Sequence, residues 1–249
     1  MAGLAASGSN PDVDFLYDIN GLGHDAPHWL ARAVEFAGLW GLPAVMALLV
    51  LGCWWTQRRA AATPEAAATS AAAVLWSLIG AGVAVLVNVP IRDFVGRPRP
   101  ASTHDGVHVL AGGQGGYSFV STHATLTMAM AAGLFVAHRR FGLAGIVVAL
   151  ADGFCQVFLG VHYPTDVIGG LALGTAVALL GAPLAAAALT PLTRALGRSP
   201  RLSRLTTSRE RGPSSSPATG RGEPAERPAP APCDPDRDQS GPRESDLAA

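Results

Sequence analysis

Hydrophobic residues of this chain fall into five long runs, instead of alternating with polar residues or lining one face of a helix. Each run is near or above the roughly 20 residues that cross a bilayer as a helix. In residues 71–87 only Trp76 and Ser77 are neither small nor aliphatic, whereas a buried helix of a soluble protein usually shows a polar face. The runs are 36–55, 66–91, 117–137, 141–151 with a continuation to 161, and 167–190.

A weaker apolar pattern in residues 13–37 indicates an interfacial or re-entrant helix that would add a sixth element. We therefore predict an all-α integral membrane protein, a bundle of five to six transmembrane helices. Composition favours the same class, because 49% of residues are hydrophobic and 14% are charged, against about a quarter charged in a soluble domain. The alternative, a soluble core of alanine-rich helices, is disfavoured by the uncharged runs.

Arginine placement predicts the topology. All 18 basic residues are arginine, and pairs of them follow the first, third and fifth runs, which end on one side if the spans alternate. By the positive-inside rule that side is cytoplasmic, so we expect a multi-pass plasma-membrane protein whose opposite face is extracytoplasmic. The pairs are Arg58 with Arg59, Arg139 with Arg140, and Arg194 with Arg198.

Three regions are predicted along the chain. Residues 1–28 form an extracytoplasmic arm without a basic leader, residues 29–193 form the transmembrane domain, and residues 194–249 form a disordered cytoplasmic tail rich in Pro, Ser, Gly and Arg. The basic start of the tail is either solvated or lies against anionic lipid. The cysteines, Cys53, Cys155 and Cys233, suggest no disulfide framework.

The first polar stretch is "IRDFVGRPRP" (91–100), which carries Arg92, Arg97 and Arg99 to the face where the positive-inside rule disfavours arginine. Guanidinium groups bind phosphate oxygens in a bidentate fork. Contact with lipid head groups explains the same cluster equally well.

The second stretch, "YSFVSTHATLTM" (117–128), opens the third run with Ser121, Thr122 and His123. Free N–H groups at a helix start bind anions. Ser121 acting only as a helix N-cap, and His123 lying only at the membrane interface, are the alternatives.

The third stretch, "CQVFLGVHYPTD" (155–166), places His162 four residues before Asp166 across a proline turn. A carboxylate bonded to one imidazole nitrogen fixes the tautomer and leaves the other nitrogen free to attack. Together the stretches supply a nucleophile, a second histidine as proton donor and arginines for negative charge, which suit phosphoryl transfer without a metal. A zinc site at His104 and His108 is disfavoured, because that spacing lies in a glycine-containing loop.

The order of these motifs resembles the type 2 phosphatidic acid phosphatase superfamily, whose signatures are K-x6-RP, PSGH and SR-x5-H-x3-D. Here they read "RDFVGRPRP" (92–100), "VSTH" (120–123) and "CQVFLGVHYPTD" (155–166). Within that superfamily, "INGLGHDAP", the compact loop after the first motif and "GVHYPTDVIGG" resemble bacterial undecaprenyl-diphosphate phosphatases of the bacitracin-resistance type.

The resemblance implies a role for each matching residue. His162 would attack phosphorus and become phosphohistidine, Asp166 would hold its ring, and His123 would protonate the leaving oxygen and then activate water. The equatorial phosphate oxygens would be bound by Arg92 and Arg99, with Ser121, Thr122 and Arg97 assisting. No metal or cofactor is implied.

Arg92 takes the place of the family lysine, and four further positions depart from the family pattern: Val120, Thr122, Cys155 and Gln156. The last stands where the family has a phosphate-binding arginine, and Asp152 lies one helical turn before it on the same face. An ionisable residue inside a span is a functional candidate, and Asp152 would either contact Gln156 or a histidine, or be protonated and structural.

The resemblance implies a phosphatase of undecaprenyl diphosphate on the outer face. The alternatives are a phosphatase of another lipid phosphate, such as phosphatidate, phosphatidylglycerol phosphate or a prenyl-phosphate sugar, and a weakened relative that only binds lipid phosphates. The expected partners are the lipid substrate and the bilayer, without nucleic acid.

Overall fold

The computed structural model describes residues 10–24, 26–107, 109 and 115–197, and these residues form helices and connecting turns without a strand. Each of the five predicted hydrophobic runs lies largely within one helix, namely α3, α4, α6, α7 or α8, and the predicted all-α class is confirmed. The helices are α1 (Pro11–His24), α2 (His28–Phe36), α3 (Leu42–Ala60), α4 (Pro64–Val95), α5 (Pro100–Thr103), α6 (Thr122–Ala137), α7 (Arg139–Phe158) and α8 (Pro164–Gly197).

The first apolar helix is longer than the hydrophobic run that predicts it. A π-helical turn, Ala37–Gly41, joins α2 to α3 without a break, so one segment runs through His28–Ala60. The run from residue 36 misses the first turns because Arg32 and Glu35 interrupt the hydrophobicity without ending the helix. The weak pattern of residues 13–37 is thus divided between the separate helix α1 and the start of this span.

Four helical segments are long and apolar enough to cross a membrane, and α6 is a shorter apolar helix of 16 residues. α6 begins at Thr122 and not near residue 117, because Ser118 is in an extended segment that bonds to the chain after α4: its N–H donates to Arg97 O at 2.8 Å. The four segments are His28–Ala60, Pro64–Thr103, Arg139–Phe158 and Pro164–Gly197.

The helices alternate in direction through the bundle. The C-terminal ends of α4 and α7 therefore lie at the same end as the N-terminal ends of α6 and α8, and this end is here called the site end. Contacts across it are direct: Ser121 N donates to Asp166 O at 3.1 Å, and Arg99 Nη1 donates to Val161 O at 3.2 Å. α1 also packs there, with Leu16 fully buried against residues of α6, α7 and α8.

Two glycines allow α8 to pack closely against α6. A Cβ on Gly170 would lie 2.7 Å from Ser121 O, and one on Gly174 would lie 2.5 Å from Thr125 O. Their spacing of four is the small-residue pattern of tightly packed membrane helices. This approach holds the start of α6 beside the start of α8, where the second and third polar stretches lie.

The predicted boundaries of the three regions stay predictions, with two local findings. Residues 11–24 of the predicted arm are helical, and α8 continues to Gly197, so residues 194–197 are helical too. The remainder of the predicted tail lies outside the described residues.

Candidate active site

His162 lies in the turn between α7 and α8, and it is 3% exposed. The turn is formed because Gly160 adopts a positive φ of 70°, which allows the N–H groups of Val161 and His162 to return to Gln156 O at 3.1 and 3.4 Å. Glycine adopts this backbone conformation without a steric penalty.

The His162 ring is held by a backbone carbonyl. Its Nδ1 lies 2.9 Å from Ser118 O, and because a carbonyl only accepts, Nδ1 must carry the proton and donate it. Nε2 then keeps its lone pair. Burial lowers the pKa of His162, and the nearby Arg99 charge adds to that effect; the contacts with Asp166 and Ser118 oppose it but do not reverse it. The neutral, nucleophilic ring is therefore favoured.

Asp166 is fully buried and lies 3.8 Å from His162 Nδ1 through its Oδ2. That separation is an ion-pair distance and not a hydrogen bond, so the direct Asp–His hydrogen bond expected from sequence is absent from this arrangement. Asp166 Oδ2 instead accepts Tyr163 N at 2.9 Å. The ring position is fixed by Ser118 O, and Asp166 acts on it through charge.

Arg97 is bound to two carboxylates in this structure. Its Nη1 donates to Asp166 Oδ1 at 2.8 Å, and its Nη2 donates to Asp12 Oδ2 at 2.6 Å. Its guanidinium carbon also lies 3.7 Å from the centre of the Tyr163 ring. Arg97 thus neutralises Asp166, which differs from the expected contact with substrate.

Arg92 and Arg99 are near enough to repel each other, and neither has an ion-pair partner within the described part of the chain. Arg92 Nη1 donates to Thr122 Oγ1 at 3.2 Å. Arg99 Nη2 donates to Gly115 O at 3.3 Å, while its buried Nε has no hydrogen-bond partner. Two such guanidinium groups suit an anion. A cavity of about 530 Å³ opens beside Arg99 and is lined by Ser102, Tyr117 and Val161 among others.

Ser121 is fully buried and is the N-cap of α6, with its Oγ accepting Ala124 N at 3.5 Å. The capping alternative for this residue is therefore observed. The Thr122 hydroxyl accepts from Asn88 Nδ2 at 3.3 Å as well as from Arg92. Thr122 hence orients Arg92.

His123 is half-buried in the first turn of α6 and interacts electrostatically with Asp152 of α7. Asp152 is fully buried, and its Oδ2 lies 3.2 Å from Thr127 Oγ1. The Gln156 amide is also fully buried near Asp152, and neither its nitrogen nor its oxygen makes a hydrogen bond of normal geometry among the described residues.

Sequence reasoning missed three contributors to this site. Asn88 in α4 donates to Val120 O at 3.2 Å, Ser118 acts through its carbonyl, and Asp12 reaches the site from α1. The pattern of apolar and charged residues does not indicate which backbone carbonyl will contact a side chain. Asn88 does carry a signal in the sequence, because it is a polar residue inside an apolar run.

Residues 70–189 match the PAP2 superfamily. Undecaprenyl-diphosphatase BcrC of Bacillus subtilis is 30% identical over 107 residues, 43% of this chain and 55% of the relative. A lipid A 1-phosphatase of Rhizobium johnstonii is 35% identical over 45% of this chain and 46% of the relative. A decaprenylphosphoryl-5-phosphoribose phosphatase of Mycobacterium tuberculosis is 39% identical over 41% and 56%. The chain spans about half the length of these curated relatives.

Among solved structures, a transmembrane PAP2-type phosphatidylglycerolphosphate phosphatase from Bacillus subtilis aligns with a TM-score of 0.47 and 21% identity, over 72% of this chain and 89% of that one. Residues 70–189 contain α6 and α7 whole, together with Arg92, Arg99, His123, His162 and Asp166. The segment of this chain that carries the candidate site is therefore similar to the PAP2 superfamily.

Proposed function

We propose that this chain is a membrane lipid-phosphate phosphatase that hydrolyses undecaprenyl diphosphate to undecaprenyl phosphate and phosphate through a phosphohistidine. The observation that carries the proposal is the held tautomer of His162: Nδ1 donates to Ser118 O at 2.9 Å, which leaves Nε2 unprotonated and available as the nucleophile.

In the first step, His162 Nε2 forms a bond to the terminal phosphorus while the bond from phosphorus to the bridging oxygen breaks. His123 donates its proton to the leaving undecaprenyl phosphate. Arg92 and Arg99 stabilise the equatorial oxygens, whose negative charge is spread in the transition state. The positive charge that develops on His162 is offset by Asp166, 3.8 Å from Nδ1.

In the second step, the neutral His123 takes a proton from water as the water oxygen bonds to phosphorus. The N–P bond breaks, inorganic phosphate leaves, and His162 returns to its neutral form. His123 thereby regains the proton that it gave to the leaving group, so the reaction consumes one water and returns both rings to their starting forms.

The choice of undecaprenyl diphosphate is supported by the similarity to BcrC. A second candidate, a decaprenyl-linked phosphoribose, is favoured by the higher identity of the Mycobacterium tuberculosis relative, 39% against 30%. Both substrates place a phosphate on a long prenyl lipid, and both require the site end to lie in a membrane surface.

The outer face of the plasma membrane is the location we propose for the site end. The support is the arginine pairs at the other end of the helices, including Arg58 with Arg59 at the end of α3. Diphosphate carrier lipids that are released by wall polymerisation would reach this face directly.

The test is phosphate release by the full chain, purified in detergent, from undecaprenyl diphosphate, decaprenylphosphoryl-5-phosphoribose, lipid A, phosphatidate and phosphatidylglycerol phosphate. We expect hydrolysis of a prenyl substrate by the wild type and none by His162→Ala. Phosphate release no greater than that of His162→Ala from every lipid would overturn the enzyme assignment, and would favour a weakened relative in which the neutral Gln156 has replaced a required cation.

A further inference from the structure

The N-terminal helix α1 contributes a carboxylate to the support of the site, although α1 lies outside the family match of residues 70–189. Asp12, in its first turn, accepts three hydrogen bonds that bridge to other elements. Arg97 Nη2 donates to Oδ2 at 2.6 Å, Thr165 N donates to Oδ1 at 2.9 Å, and Thr165 Oγ1 donates to Oδ2 at 2.7 Å.

One of these bonds, from Thr165 N, caps α8 from another helix, and the bond from the Thr165 hydroxyl reinforces it. Thr165 is the second residue of α8, where backbone N–H groups have no partner within the helix. A carboxylate at this end also interacts favourably with the helix dipole. Asp12 therefore fixes the first turn of α8, which is the turn that carries Asp166.

The third bond orients Arg97. One terminal nitrogen of its guanidinium bonds Asp12 and the other bonds Asp166 Oδ1 at 2.8 Å. The Arg97 side chain is 25% exposed whereas Asp166 is fully buried. Without Asp12, a partly exposed arginine would gain rotamer freedom, and the buried Asp166 would lose the fixed counter-charge that a buried carboxylate needs.

Protonation of Asp12 does not interrupt this arrangement near neutrality. Burial raises the pKa of the Asp12 carboxyl, but the hydrogen bonds from Arg97 and Thr165 outweigh that effect and leave the pKa below its ordinary value of 3.8. The stabilisation is thus present above that value and is lost only as the pH falls through the lower pKa.

We propose that Asp12 is a positioning residue for the reaction: through Arg97 and the first turn of α8, it sets the place of Asp166 beside His162. This inference rests on the proposed function, since the step it serves is the attack of His162. Asp12 touches neither substrate nor the reacting atoms. Small displacements of a reacting group reduce rates strongly, so loss of Asp12 should act on turnover more than on substrate binding.

The kinetic test compares Asp12→Asn and Asp12→Glu with Asp14→Asn, a matched change on an exposed residue of the same helix. For Asp12→Asn we expect kcat to fall on the order of ten- to a hundred-fold with KM almost unchanged. Asp12→Glu should recover part of that loss because it restores the charge, and Asp14→Asn should behave as wild type. A kcat of Asp12→Asn equal to that of wild type would overturn the proposal.

A double-substitution cycle tests the route through Arg97. If Asp12 acts partly through Arg97, then Asp12→Asn should cause a smaller loss in an Arg97→Met background than in the wild type. Only the contacts with Thr165 remain to be lost in that background. Losses that multiply in full would mean that Asp12 acts independently, against the proposal. Thermal unfolding in detergent separates the positioning role of Asp12 from weaker docking of α1. Weaker docking lowers Tm without lowering the kcat of folded protein.

One measurement is independent of any substrate. NMR titration of protein with ¹⁵N-labelled histidine, with His162→Gln used for assignment, reports the pKa of His162. Because the Asp166 charge raises that pKa, we expect it to be lower in Asp12→Asn than in wild type and to be unchanged in Asp14→Asn. An unchanged pKa of His162 in both variants would overturn the positioning role even if the wild type hydrolyses no lipid tested, which distinguishes this failure from that of the proposed function.

Discussion

Gln156 is the residue at which this site departs most from the residue pattern of the PAP2 superfamily. A neutral amide lies where a phosphate-binding arginine is expected, and the carboxyl of Asp152 lies close to it in the same buried region. Relative to the family pattern, the region lacks one positive charge. A phosphate bound in the site would therefore depend more heavily on Arg92 and Arg99.

A Gln156→Arg substitution should raise turnover, by less than the roughly hundred-fold that one transition-state contact supplies, because Asp152 competes for the new guanidinium. Adding Asp152→Asn should release that guanidinium and increase the gain. Phosphate release in steady state measures both effects, with His162→Ala in each background as the blank. An unchanged or lower rate in both variants would mean that position 156 does not reach the phosphate.

The pH dependence follows from His162. Nucleophilic attack requires the neutral ring, and burial holds the pKa of His162 below its ordinary value of 6.5. The acid limb of activity should therefore rise through that lowered pKa and should have its midpoint below pH 6.5, as measured by kcat/KM on a prenyl diphosphate. An acid limb centred above pH 6.5 would contradict the environment described for this ring.

At the residue scale, the sequence predicts which side chains gather but not how they bond. The three polar stretches identify His123, His162 and Asp166 because their spacing is local. The Ser118 carbonyl that holds His162, and the Asp12 carboxylate that holds Arg97, depend on tertiary contacts between residues 44 and 85 positions apart. No local pattern encodes such pairings.

Among the elements, α8 positions the site because it approaches α6 so closely. The glycines at 170 and 174 bring its first turns against the backbone of α6, and this contact keeps Asp166 next to Ser121. In the sequence these glycines are ordinary small residues of an apolar run. The spacing of four is visible there, but the partner helix is not.

Gly174→Ala should destabilise the bundle, because its Cβ would lie 2.5 Å from Thr125 O and 2.8 Å from Ala129 N. Overpacking of this kind costs about 1–3 kcal/mol, read as a lower Tm in detergent. Gly82→Ala is the matched control, since a Cβ there meets nothing within 4 Å, and alanine is a better helix former than glycine. Equal Tm values for the two variants would argue against close α6–α8 packing.

Helix starts are the least predictable feature of the elements. α2 begins eight residues before the first hydrophobic run, because a helix tolerates polar residues that lower the local hydropathy. α6 begins five residues after its run does, because the preceding residues bond to the chain after α4. Hydropathy reports the apolar content of a segment and not its hydrogen bonding.

For the whole molecule, the number of spans and the arginine pairs together predict which end faces outward. Alternating spans predict that the three polar stretches lie at the same end of the helices. In the structure all three stretches meet at one end. The assignment of that end to the outer face stays a prediction, because helix packing is the same in either orientation.

Cysteine labelling checks this orientation in intact cells. With Cys233→Ser as the background, Ser102→Cys at the site end should react with a membrane-impermeant maleimide, because residue 102 is exposed. Ala62→Cys, in the exposed turn between α3 and α4, should react only after lysis. Cys53 and Cys155 are buried and should contribute little. The reverse labelling pattern would put the site on the cytoplasmic face.

The length of α6 affects how a substrate would be presented. Its 16 residues extend about 24 Å, less than the roughly 30 Å of a bilayer's hydrocarbon core, so we expect His123 at its start to lie below the membrane surface when the other end of α6 lies at the opposite surface. A lipid can then bring its phosphate to His162 by lateral diffusion while its chain stays in the leaflet. Turnover would follow the mole fraction of substrate in the surface and not its bulk concentration, so dilution with inert detergent at constant substrate should slow the reaction.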